Sequence, residues 1–335
     1  HHEYSACSVA KSAEMIWLDA IEANEGGDRA TALSLAEEVV SIDENHADAW
    51  FAIAQWVLPI DSRGKQQMPN VVQASKTMSA IRKVVELDPD NDQAWRIGGE
   101  IMVGHLGMLE HGIQWWEERK GVAPSDVLPY FEQISILIRI GRFNDAGSYL
   151  DILDKMVEKQ PSKSLEARAK RLRIIFEEQS SMEEELGFEP QNGKDESWGL
   201  ISRMRKKKPL TETYFLLMFV MPIVFLLGSL ATMLFAGVAY GTVIVMLLIV
   251  AMYFTIARLS RRLLLKLNRP ESFLNRAIDI ESSSGKVCVP DEIRASKLYS
   301  YVIGKRTPSF QERLGMIEES GEALPRRWEL SVPEL

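Results

Sequence analysis

The chain has 335 residues, 46% hydrophobic and 26% charged, with a formal net charge of −8; this is globular material for about two domains and excludes a disordered or collagen-like protein. The charge is unevenly shared: residues 1–200 hold 35 acidic and 20 basic side chains, residues 201–335 hold 12 and 19. An acidic front half excludes nucleic acid as the partner, because phosphates demand Lys/Arg surfaces. Cys7 and Cys288 form neither a disulfide framework nor a metal site, and His1, His2, His46, His105 and His111 lack ligand spacing, so no metal or other cofactor is expected. The first 30 residues contain no basic-then-apolar run, so no signal peptide is expected.

From residue 11 to 179, apolar residues recur at three- and four-residue spacing between short Gly/Asp/Asn/Pro turns, which predicts helix after helix. The segment also repeats itself. "GDRATALSLAEEVVSIDENHADAW" (Gly27 to Trp50) and "SKTMSAIRKVVELDPDNDQAW" (Ser75 to Trp95) each end a helix, pass a polar turn and open the next helix with Ala-Trp. Further along, Gly107 and Gly141 lead similar turns 34 residues apart. Small residues such as Ala32 and Ala146 permit close helix approach, and the tryptophans read as packing between units. "LDPDN" reads as a helix stop, since it lacks the alternating ligands of a calcium loop.

This pattern resembles the tetratricopeptide repeat (TPR), a 34-residue helix–turn–helix unit. The resemblance covers about half the chain. It places the family's small residue at Ala32, Thr77, Gly112 and Ala146, its helix-opening aromatic at Trp50, Trp95 and Tyr130, and its closing proline at Pro89 and Pro124. Departures are an insertion of about 11 residues in "PIDSRGKQQMPN", Glu44 in place of a proline, and Ile134 in place of a small residue. TPR solenoids bind peptides along the face lined by their first helices. Carried over, that groove comprises Phe51, Gln55, Leu58, Arg96, Glu100, Phe131 and Ser135. Family members that clamp a C-terminal carboxylate use Lys and Asn on the opening helix; here Glu14, Asp19 and Glu22 stand there. The expected ligand is therefore a protein or peptide with an apolar or basic segment.

Residues 180–212 read as an acidic linker and basic juxtamembrane segment, a flexible joint with a short helical piece. No charge occurs between Thr213 and Ala257. One straight helix of that length would span about twice the hydrocarbon core of a bilayer, so residues 213–257 predict a transmembrane hairpin, with spans near Tyr214–Phe235 and Val238–Ala257. Arg205, Lys206, Lys207 and Lys208 flank the first span, and Arg258, Arg261 and Arg262 flank the second. The connecting turn is uncharged, so a two-pass integral membrane protein with both termini cytosolic is expected. Pro222 predicts a kink. Gly228, Thr232 and Ala236 form a small-residue face that packs the spans together or mediates oligomerisation. Residues 258–335 read as a basic cytosolic tail with short helices: a basic helix stopped by Pro270, a loop at "SSSGKVCVP", and helices in "PDEIRASKLYSYVIGK" and "TPSFQERLGMIEES", the latter capped by Thr307.

The expected fold is all-α: a TPR-like helical-hairpin solenoid over residues 1–179, then a two-helix transmembrane hairpin and a short helical tail. With no catalytic constellation in the sequence, the expected role is non-enzymatic, a membrane-anchored protein-interaction scaffold. The alternatives are a non-catalytic subunit of a larger membrane complex and a membrane-shaping hairpin protein.

Overall fold

The computed structural model describes residues 12–160, 162–183 and 187–333. Among them the chain is all-α, with isolated bridges Ile60–Gln66 and Val287–Ala323 and no strand. It divides into two compact units: one formed by residues 1–173, 279–287 and 306–335, the other by 174–278 and 288–305.

The first unit is a series of helix pairs: α1 (Ala13–Glu25) with α2 (Arg29–Ile42), α3 (Ala47–Trp56) with α4 (Val71–Leu87), α5 (Asp92–Gly99) with α6 (Leu109–Val122), and α7 (Leu128–Ile140) with α8 (Phe143–Lys159). α5 continues through a π-helical turn, Glu100–His105, and α9 (Lys163–Glu183) begins in this unit. The pairs turn at Gly27, Gly107 and Gly141, whose φ values of 83°, 64° and 81° lie in the left-handed region that glycine adopts without strain. Side-chain caps fix helix starts: Asp28 accepts from the Thr31 N–H, His46 from Ala49 and Asn91 from Ala94, while Asn70 and Gln73 form a capping box.

The repeat is visible atom by atom. Trp50 Nε1 donates to the Glu44 carbonyl at 2.9 Å, and Trp95 Nε1 to the Pro89 carbonyl at 2.8 Å, the same six-residue reach in each unit. Ala32, Thr77, Gly112 and Ala146 are all buried. A Cβ on Gly112 would come within 2.5 Å of Val103 Cγ2, which is why that position is small. The insertion between α3 and α4 is a tight loop in which Asp61 accepts from the N–H groups of Arg63 and Lys65, each at 2.9 Å.

The tail contributes to this unit, which the expected boundary at residue 258 does not anticipate. α14 (Arg269–Ser284) ends in it, and α17 (Pro308–Ser320) lies wholly within it. α17 packs against α4 and the π-helical turn, burying Phe310, Leu314 and Ile317. Thr307 starts α17 without a side-chain cap bond; its Oγ1 donates instead to the Gly104 carbonyl at 3.4 Å.

The second unit contains the end of α9, then α10 (Glu196–Met204), the apolar helices, the start of α14, α15 (Asp291–Arg294) and α16 (Lys297–Ile303). The described part of the segment expected to be a flexible joint is packed. Phe188 lies 5.3 Å from Trp198 and 5.1 Å from Phe273, ring centre to ring centre, and all three rings are buried. The first apolar helix runs Glu212–Leu234 as α11 (Glu212–Phe215), a π-helical stretch Leu216–Val220, and α12 (Met221–Leu234). The widened stretch directly precedes Pro222, whose ring cannot accommodate a normal α-turn behind it. α13 (Gly241–Leu267) is the second. Pro270 does not stop a helix, as the sequence reading has it; α13 ends at Leu267 with Asn268 as its cap, and Pro270 sits in the first turn of α14, where its missing N–H costs nothing.

Candidate functional site

Three surfaces follow from this architecture: the first-helix face of the repeats, the turn edge where the tail docks, and the apolar hairpin with its mouth.

On the repeat face, Phe51 and Gln55 are half-buried, Arg96 and Glu100 are exposed, and Ser135 is half-buried with its hydroxyl donating to the Phe131 carbonyl at 2.8 Å. Two of the residues carried over from the family are core. Leu58 is drawn inward as the inserted loop leaves α3, packing with Ala74, Ile101 and Leu106. Phe131 is 2% exposed and covered by the Arg168 guanidinium of α9, 4.3 Å from its ring centre. A further aromatic group sits at the opening of the solenoid: Trp17 lies 6.0 Å from Trp56 and 5.2 Å from the His46 ring.

The turn edge is a polar junction. A helix end leaves carbonyls without partners, and at the end of the π-helical turn the tail provides them. Ser309 Oγ donates to the His105 carbonyl at 3.0 Å, and Arg313 Nη1 to the Leu106 carbonyl at 2.9 Å. The tail also meets orphan N–H groups at helix starts. Ser283 Oγ accepts from Glu110 at 3.0 Å, where α6 has no side-chain cap of its own, and Glu312 Oε2 accepts from Val71 at 2.9 Å. Beside this, the buried Asp279 carboxylate takes both Arg139, at 2.8 and 3.1 Å, and Arg306, at 3.1 Å. Burial works to lower the Arg139 guanidinium, and the facing Asp279 more than reverses it, so its pKa is raised. Among the described residues, Arg313 donates to carbonyl and hydroxyl oxygens, of Leu106 and Ser282, and burial lowers its pKa. Burial likewise lowers His105, partly offset by Glu100.

Asp279, Ser283, Arg306 and Arg313 are not among the residues that the sequence singles out. The available signal was the apolar spacing of Phe273, Leu274, Ala277 and Ile278, which marks a buried helix face.

The hairpin helices turn large apolar side chains outward: Phe225 is 78% exposed, Met233 80% and Phe254 67%. Between them Gly228 is buried, and a Cβ there would meet Ile249 Cδ1 at 3.1 Å. Thr232 and Ala236 are exposed, so of the small-residue face only Gly228 serves the helix pair. At the mouth, Lys206, Lys207 and Lys208 are exposed, while Arg205 pairs with Glu292 at 3.7 Å. On α13, Arg258, Arg261 and Arg262 are all exposed, and of the three Arg261 has a carboxylate partner among the described residues, Glu178 at 3.6 Å. Among the described residues, no group of His, Cys, Asp and Glu side chains is arranged to hold a metal ion.

Together these features define an all-α protein that joins a helical repeat region to two helices long and apolar enough to cross a membrane. No protein-family model matches the chain, and no curated protein matches it in sequence. Among solved structures it is similar to "MamA RS-1 ArsTM double mutant", at 13% identity and a TM-score of 0.30, over 51% of this chain and 98% of that one.

Proposed function

We propose that this chain is a non-enzymatic, two-pass membrane protein whose repeat unit is held at the cytosolic face and recruits a protein partner there, as a scaffold. One observation carries the reading: the repeats bury most of their large apolar side chains, while α12 and α13 leave most of theirs exposed. Burial of apolar surface is worth about 25 cal/mol per Å², so helices this exposed in water need a hydrocarbon solvent.

Both basic runs adjoin the mouth of the hairpin and the Phe235–Tyr240 turn is uncharged, which orients the mouth towards the cytosol. The make-up of the repeat unit supports the same topology, because it draws chain from before and after the hairpin into one compact body. Accessible Phe51, Gln55, Arg96 and Glu100 present apolar and charged groups together on the first-helix face. The acidic α1 favours a partner segment carrying Lys or Arg beside its apolar anchors. Tethering to one membrane raises effective concentration, so modest affinity suffices.

The test combines two variants of the full chain in native membranes. Phe51→Ala with Glu100→Arg should abolish cross-linking to the partner while leaving alkali-resistant membrane association intact. Exchanging the hairpin for an unrelated two-span anchor should preserve cross-linking. The opposite pattern would make the hairpin the functional part and overturn the scaffold reading.

A further inference from the structure

The cations around the hairpin mouth fall into two groups. Arg205 and Arg261 have carboxylate partners in Glu292 and Glu178. Arg258, Arg262 and Lys266 have none among the described residues and are exposed. These three follow one another at four-residue spacing on α13 and therefore share a face. Phe254 lies one turn deeper on the same face and is 67% exposed. Phe254, Thr255, Arg258, Leu259 and Arg262 line a shallow open concavity.

Depth sets what this face meets, given the membrane reading on which the inference rests. α13 starts at Gly241, and its first charge is Arg258. At 1.5 Å per residue the uncharged part spans roughly 25 Å, close to the hydrocarbon thickness of about 30 Å. Arg258 therefore stands at the acyl–headgroup boundary with Phe254 among acyl chains. Arg262 sits one turn further out, about 6 Å away along the axis, at headgroup level. Topology alone requires only positive charge. Two unpaired arginines one turn apart above an exposed aromatic provide more: guanidinium forks that grip a phosphate bidentately, with an apolar wall below for the chains of the same molecule.

We infer that Arg258 and Arg262 form a binding site for the phosphate of an anionic phospholipid, whose acyl chain lies against Phe254 and Leu259. The apolar wall distinguishes this occupant from a free phosphate ion, which has no use for it.

The full chain, reconstituted in phosphatidylcholine nanodiscs with a minority of phosphatidylglycerol, tests the site by the relative association of spin-labelled phosphatidylglycerol and phosphatidylcholine. A preference of roughly fivefold per unpaired arginine is expected for the native chain. Arg258→Gln with Arg262→Gln should lower it roughly tenfold or more, to the remainder contributed by Lys266 and the exposed lysines, while Arg261→Gln should leave it standing. Arg258→Lys with Arg262→Lys keeps the charge that guides insertion and should lower the preference about two- to threefold, because the fork is lost. An undiminished preference in either double variant overturns the site. So does abolition of the preference by millimolar inorganic phosphate, which would assign the arginines to a soluble anion. Failure of the native chain to enter the bilayer would instead bring down the membrane reading itself.

Discussion

The side-chain amide of Asn268 holds the backbone of Leu210 by both polar atoms: Nδ2 donates to the Leu210 carbonyl at 2.8 Å, and Oδ1 accepts from its N–H at 3.1 Å. Leu210 precedes the first apolar helix and Asn268 follows the second, so one side chain closes the hairpin at its mouth. Asn268→Asp retains the acceptor but sets a carboxylate oxygen against a carbonyl. It should cost about 1–3 kcal/mol, more than Asn268→Ala, and thermal unfolding in detergent micelles measures both.

Asp279 is 3% exposed between two guanidinium groups. Asp279→Ala leaves Arg139 and Arg306 without a counter-charge and should cost about 3–5 kcal/mol. For a unit of this size that lowers the unfolding temperature by on the order of 10 °C. Hydrogen exchange should locate the loss at the Gly104–Met108 turn, where the tail docks.

Gly107 and Gly27 share a positive φ but differ in surroundings. A Cβ on Gly107 would lie 2.3 Å from Phe310 Cε2 and 2.4 Å from Ser282 Oγ, whereas one on Gly27 meets nothing within 4 Å. Gly27→Ala should cost only the conformational penalty, about 1 kcal/mol; Gly107→Ala should cost several times that and loosen α17. Equal costs would show that the tail does not dock at this turn.

Burial foremost, with Glu117, Tyr130 and Asp145 nearby, pushes the Tyr149 pKa up to about 12 from an ordinary value of 10. The neutral phenol is therefore favoured in the folded state. Its stabilising contribution is complete below pH 10 and is lost as pH rises from there towards 12. Because the buried Tyr149 hydroxyl has no hydrogen-bond partner, Tyr149→Phe should remove this alkaline loss without weakening the fold at neutral pH. Absorbance titration at alkaline pH, alongside thermal unfolding, checks both points.

The equivalent tryptophans differ in burial: Trp95 is 3% exposed, whereas Trp50 is half-buried. Trp95→Ala should cost about 3–5 kcal/mol and Trp50→Ala clearly less, by chemical denaturation.

The repeats were legible because each unit carries its own punctuation. The glycines at 27, 107 and 141 mark left-handed turns, and Ala-Trp marks helix starts, so local chemistry suffices. The apolar hairpin was legible from length and the absence of charge alone. What was hidden is long-range. Nothing near Asp279 in sequence reveals that its partners are Arg139 and Arg306, and Ser309 gains meaning only beside the His105 carbonyl. Of the residues carried over from the family, Arg96 is exposed and Phe51 half-buried, whereas the inserted loop turned Leu58 inward and α9 closed over Phe131, both tertiary effects that spacing does not carry.

The division of the repeat unit across the hairpin also sets a timetable for its birth. The chain leaves the ribosome as far as Arg173 before α14 and α17 exist, and on the order of 100 residues, both apolar helices included, must follow before Asp279 appears. At about 5–20 residues per second this is a wait of roughly 5–20 s. Throughout it the turn at Gly104–Leu106 keeps its carbonyls uncovered, and the final closure of the solenoid comes only after the hairpin has been made.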